Sequence, residues 1–123
     1  MKSEDMRERT KNFALRVIRL VGALPNNRIG DILGRQLLRS GSSVGANYRE
    51  ALRGSSRKQF LYSTEIALRE ADETLYWLEL IAESALLKRA RMMDIMRECN
   101  ELVAILTATV RTTKRNARKD PPT

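Results

Sequence analysis

The chain has 123 residues, of which 31% are charged and 5% aromatic; 23 Lys and Arg against 15 Asp and Glu give a net charge of +8, with one cysteine and no histidine. That length fits one domain with its own hydrophobic core, and a composition rich in Leu, Ala, Arg and Glu fits an all-helical protein. A disulfide framework, a histidine-based metal or acid–base centre and a membrane span are all excluded, the last because no apolar run reaches about 18 residues.

The first periodic segment runs from about residue 4 to 24. At about 100° per residue, Phe13, Ala14, Val17, Ile18, Leu20, Val21 and Leu24 share one arc, with Arg9, Asn12, Arg16 and Arg19 outside it. Pro25, Asn26 and Asn27 then supply a stop and a turn.

The second helix is expected over 28–53, beginning with Ile29, Ile32, Leu33 and Leu37. It contains the stretch RSGSSVGANYREA (39–51), whose glycines and serines locally read as a loop. Yet Leu33, Leu37, Ser40, Val44, Asn47 and Ala51 continue a four-three spacing, and Gly41 and Gly45 fit neither GxxxxGK[ST] nor GxGxxG. The stretch therefore reads as helix rather than phosphate loop. Its small inward residues would let a neighbouring helix approach closely, offsetting about 1 kcal/mol of lost propensity per glycine. Ser40, Ser43 and Asn47 form an expected buried polar seam, in which Asn47 needs hydrogen-bond partners and sets register rather than chemistry.

A third helix over 56–87 starts at an N-cap, Ser55 or Ser56. Phe60, Thr64, Ala67, Ala71, Thr74, Leu78 and Ile81 make its core seam, with Leu75, Ala82 and Ala85 alongside. A second stripe, Tyr62, Ile66, Trp77 and Leu80, interleaves with Glu70 and Glu73, while Glu65, Asp72, Glu79 and Glu83 form a polar ridge. A helix packed on one side needs one apolar stripe, so two stripes predict contact on two sides. Tyr62, Ile66, Glu70, Glu73, Trp77 and Leu80 are accordingly the candidate oligomer interface.

The fourth helix is expected over 90–114, with Met92, Met96, Cys99, Val103, Leu106 and Val110 inward and Ile95 and Leu102 beside them. Residues 116–123 read as a flexible basic tail beyond a single domain of residues 1–115. Four helices with short connections predict an antiparallel up-down-up-down bundle.

No catalytic constellation emerges. Cys99 stands alone on an apolar seam, the serines near 40–56 lack a base, and Glu70 with Glu73 reads as a partner for Arg or Asn across a helix rather than a metal pair. The expectation is a non-enzyme with no cofactor and no metal. The charged N-terminus and the lone thiol predict a cytoplasmic protein.

Charge is unevenly placed: residues 55–87 hold six acidic and three basic side chains, while both flanks are basic. Arg9, Arg16 and Arg19 could join Arg111, Lys114, Arg115, Arg118 and Lys119 at one end of an antiparallel bundle as a phosphate-binding surface. No aromatic residues interleave them, so binding to RNA or DNA would be weakly sequence-specific. The alternatives are a solvated face and a docking surface for an acidic protein.

The stretches QLLRSGSSVGANYREALRGSSRKQF and ALREADETLYWLELIAES resemble the bacterial family of 23S ribosomal RNA intervening-sequence proteins over roughly residues 10–113. The residues that carry the resemblance are Gln36, Arg39, Ser43, Ala46, Asn47, Glu50 and Phe60, then Glu70, Glu73, Tyr76, Trp77 and Leu78. Some branches carry Gly-Ser where Arg69 and Glu70 stand, so the chain looks like the branch with Glu-x-x-Glu-Thr-x-Tyr-Trp-Leu. The resemblance implies a four-helix bundle assembled as a homopentameric ring, and kinship with the accessory variability protein of diversity-generating retroelements, a basic pentamer that engages reverse transcriptase and nucleic acid. It supplies no catalytic residue. The expected function is a self-assembling, nucleic-acid-associated accessory or scaffold protein; the alternative is a structural or protein-interaction module that binds no nucleic acid.

Overall fold

Each corner of the chain is set by a local backbone device. After Leu24, the Asn27 side chain accepts a hydrogen bond from the Gly30 N–H at 2.9 Å and caps the helix that follows. A Cβ on Gly30 would stand 2.1 Å from the Pro25 carbonyl oxygen, so this corner closes only over a glycine. At the next corner Ser56 accepts from the Gln59 N–H at 3.1 Å, while the Gln59 side chain accepts from the Ser55 N–H at 3.0 Å. This reciprocal arrangement resembles a capping box.

In the computed structural model, which describes the backbone of residues 3–119 and the side chains of residues 5–118, these corners separate four helices. They are α1 (Ser3–Gly22), α2 (Arg28–Arg53), α3 (Arg57–Glu83) and α4 (Arg89–Lys119). No strand occurs among the described residues. Neighbours in sequence are neighbours in space, and a slighter α1–α4 contact closes the ring of four. Early residues of one helix meet late residues of the next: Thr10 lies by Gly45, Ser40 by Thr74, and Arg57 by Asn116. The bundle is therefore antiparallel, up-down-up-down.

Phe13, Val17, Leu37, Val44, Leu78, Ile81, Met92, Leu102 and Leu106 fill the core. The glycine-rich stretch is continuous helix, and its glycines face α1. A Cβ on Gly41 would lie 2.9 Å from Val17 Cγ2, and one on Gly45 would lie 3.2 Å from Thr10 Oγ1. Buried threonines satisfy their hydroxyls on their own helices: Thr10 donates to the Met6 carbonyl at 2.9 Å and Thr64 to that of Phe60 at 2.6 Å.

Several expectations are corrected. Ile18, Ile29 and Ile32 are more than half exposed, whereas Thr10 is buried. The inward arc of α1 runs through Met6, Thr10, Phe13 and Val17, which leaves Ile18 on its flank. Of the polar seam only Ser40 is fully buried, hydrogen-bonded to Thr74 Oγ1 at 2.9 Å. Ser43 and Asn47 are half-buried, and Asn47 donates to the Ser43 carbonyl of its own helix at 2.8 Å. The third helix stops at Glu83 rather than 87, because Ala85 takes a left-handed φ of 58° and the Leu86 N–H turns back to the Ile81 carbonyl at 3.2 Å. The fourth helix runs on to Lys119, so residues 116–119 are helical rather than tail; Arg57 Nη1 donates to the Asn116 carbonyl at 2.9 Å. Residues 120–123 of the expected tail lie outside the described residues.

Candidate interaction surfaces

Two kinds of surface stand out: a polar and aromatic face on α2 and α3, and groups of cations spread over α1, α2 and α4.

On the first, Arg39 of α2 reaches across to both carboxylates of α3. Its Nη1 donates to Glu70 Oε2 at 3.3 Å, and its Nη2 pairs with Glu73. Gln36 Oε1 accepts from the same guanidinium at 3.3 Å, and the Trp77 indole N–H donates to Glu73 at 3.0 Å. The helical spacings 36, 39 and 70, 73, 77 place these groups along the α2–α3 seam. Glu70 and Glu73 are thus engaged within the chain. Beyond this network the second stripe lies on the outer side of α3. Tyr62 is 66% exposed, while Ile66, Trp77 and Leu80 are half-buried. Tyr76, which periodicity did not place in the stripe, is 53% exposed and packs edge-on against Trp77 with ring centroids 5.2 Å apart. Most of the residues that carry the family resemblance gather on this face.

The cations do not form one cluster. Arg9 makes a bidentate pair with Glu98, Nε to Oε2 and Nη2 to Oε1 both at 2.7 Å, and its Nη2 also reaches Glu101 at 2.7 Å. Hydrogen bonds from Arg9 hold the Glu98 carboxyl below its usual range, against the opposing effect of burial. Arg16 and Arg19 line a cleft with Arg91 and Asp94, at the other end of α4 from the C-terminal group. At about 1.5 Å per residue, Arg111 lies about 30 Å further along α4 than Arg91. The expected union of the two basic groups at one end is therefore corrected: antiparallel pairing sets Arg16 and Arg19 against the start of α4. Arg111, Arg115 and Arg118 are exposed and share the outer face of α4. Lys114 pairs with Glu65 at 3.5 Å, and the Lys119 side chain lies outside the described residues.

Sequence reasoning missed three further cations. Arg7 and Lys11 of α1 and Arg49 of α2 line a single groove between these helices. The spacing of Arg7 and Lys11 was visible, but their meeting with Arg49 required the antiparallel register.

Cys99 is buried, donates from Sγ to the Ala71 carbonyl at 3.3 Å, and has its thiol pKa pushed up to about 12, chiefly by burial. Among the described residues, no three His, Cys, Asp or Glu side chains are grouped to hold a metal, and no helix is long and apolar enough to cross a membrane.

Residues 2–108 match the sequence model of the 23S rRNA-intervening sequence protein family. The structure is similar to the crystal structure of a protein of unknown function from the S23 ribosomal protein family of Bacteroides thetaiotaomicron. The two chains are 35% identical with a TM-score of 0.83, over 90% of this chain and 99% of that one. No curated protein matches the chain.

Proposed function

The chain belongs to the family of 23S rRNA-intervening sequence proteins, and from that premise we propose that it is a non-enzymatic, self-assembling helical bundle serving as a nucleic-acid-associated accessory or scaffold protein. The observation that carries this reading is how charge is sorted over the surface. Carboxylates are matched to cations on the α2–α3 seam and between Arg9 and α4, while Arg111, Arg115 and Arg118 stand exposed along one face of α4. Exposed cations on a chain of net charge +8 suit a phosphate backbone, whose neutralisation releases counterions. Assembly as a ring of five copies is part of the same reading. Its support is the outer face of α3, where Tyr62 and Tyr76 remain more than half exposed in the single chain. A protonated, buried Cys99 offers no nucleophile, in keeping with a binding role.

The test is a titration of nuclease-treated protein against labelled RNA and DNA, duplex and single-stranded, at several salt concentrations. Binding through about four phosphates should weaken roughly 100-fold between 50 and 200 mM salt. Neutralising Arg111, Arg115 and Arg118 should flatten that dependence. Absence of binding at the lowest salt would rule out the nucleic-acid part of the reading and leave an oligomeric scaffold.

A further inference from the structure

We propose that the groove between α1 and α2 is a specific seat for a nucleic-acid phosphate backbone, held by Arg7, Lys11 and Arg49. The inference rests on the nucleic-acid reading above and assigns it a place. The groove encloses about 370 Å³, with the three cations in its walls and Thr10, Ser42 and Gly45 lining it between them. All three cations are exposed.

Two features separate this groove from the rest of the surface. First, no carboxylate lines it, whereas the other four clefts described each include one: Asp31, Asp94, Glu83 or Glu50. The acidic residues of α3, which a second copy could offer as a complement, are engaged elsewhere: Glu70 and Glu73 with Arg39, Glu65 with Lys114. A compact external anion fits the uncompensated charge better.

Second, the shape is built into the sequence of α2. Gly45 has no Cβ, and one placed there would press on Thr10 at 3.2–3.3 Å, so its absence lets the two helices draw together beneath the cations. Arg7 and Lys11, one turn apart, have Cβ atoms roughly 5–6 Å from each other, a separation comparable to that of neighbouring phosphates on one strand. Arg49 closes the opposite wall from α2. The lining contains no aromatic ring for stacking a base and no amide side chain for reading one, so the site holds backbone and not sequence.

The experiment compares three full-length variants with the parent on a labelled mixed-sequence RNA duplex at several salt concentrations. They are Arg7→Gln/Lys11→Gln/Arg49→Gln, the charge-matched Arg111→Gln/Arg115→Gln/Arg118→Gln, and Ala46→Glu. Ala46 is an exposed lining residue of α2, so the last variant places a carboxylate in the groove without removing a cation. Circular dichroism and light scattering establish fold and mass for each. The expected result is that the groove variant binds at least tenfold more weakly than the α4 variant, with its log–log salt slope reduced by about 2 to 3, and that Ala46→Glu weakens binding at least tenfold. Equal losses in the two neutralised variants would overturn the site in favour of diffuse attraction. So would intact binding by the groove variant, or a groove variant that changes assembly mass while still binding RNA, which would make the groove a contact between copies. Failure of the parent to bind at low salt would instead remove the reading on which the site depends.

Discussion

Ala85 holds a backbone conformation that glycine adopts at no cost. Its φ of 58° ends α3, with the Ala85 N–H returning to the Ala82 carbonyl at 3.2 Å and the Leu86 N–H to that of Ile81. In the left-handed region a Cβ costs about 1–2 kcal/mol, part of which glycine gives back through greater freedom of the unfolded chain. Ala85→Gly should therefore stabilise the protein by about 0.5–1 kcal/mol and raise the thermal midpoint by roughly 2–5 °C. A lowered midpoint in a calorimetric scan would refute the strain argument. At the same scale, Ser40 and Thr74 show how a polar pair is accommodated in a core: each hydroxyl is fully buried, and each finds the other across two helices.

At the scale of the element, α2 is the helix on which the bundle turns. It packs against both α1 and α3, and its two flanks are chemically different. Toward α1 it presents Gly34, Gly41 and Gly45, where side chains of α1 occupy the room a Cβ would need. Toward α3 it presents Gln36, Arg39 and Ser40, which bind one another or α3 by hydrogen bonds. A methyl group on Gly41 would lie 2.9 Å and 3.0 Å from the two γ-carbons of Val17. Overpacking of this kind costs about 1–3 kcal/mol, more than the roughly 1 kcal/mol that alanine returns in helix propensity. Gly41→Ala should lower the urea midpoint, and Val17→Ala should relieve the clash. The double variant is then expected to be about 1 kcal/mol more stable than the sum of the single effects requires. Strict additivity would show that close approach at this point does not limit the packing.

For the whole molecule, the outer face of α3 governs assembly. In the proposed ring, Tyr62 and Tyr76 pass from exposed to buried at a contact between copies, and aromatic residues of this kind often dominate such contacts. Tyr62→Glu/Tyr76→Glu should reduce the mass measured by light scattering toward the 14.1 kDa of a single chain, while the helical circular dichroism is retained, since both residues are exposed in that chain. An unchanged mass would remove this face from the assembly. The distribution of cations is also a property of the whole: antiparallel packing carries Arg16 and Arg19 to the start of α4 and brings Arg7 and Lys11 to Arg49, although nothing in the order of residues distinguishes the two groups.

The sequence by itself determined the four helices, their order and most of the inward residues, because a 3.6-residue period repeated over five or more turns outweighs local loop-forming residues; the stretch 39–51 is helical for that reason. Caps with side-chain chemistry, Asn27 and Ser56, were legible in the same way or nearly so. The end of α3 was not, since no glycine or proline marks Ala85, and the continuation of α4 to Lys119 depends on neighbours such as Arg57 that are distant in sequence. Only the tertiary structure decided which charges remain free. Arg9 and Arg39 look like any other basic residues until helix packing sets Glu98 and Glu101 beside the first and Glu70 and Glu73 beside the second. Periodicity fixes the face on which a side chain lies, whereas the partner across the groove is fixed by the register of two helices, which involves residues far apart along the chain.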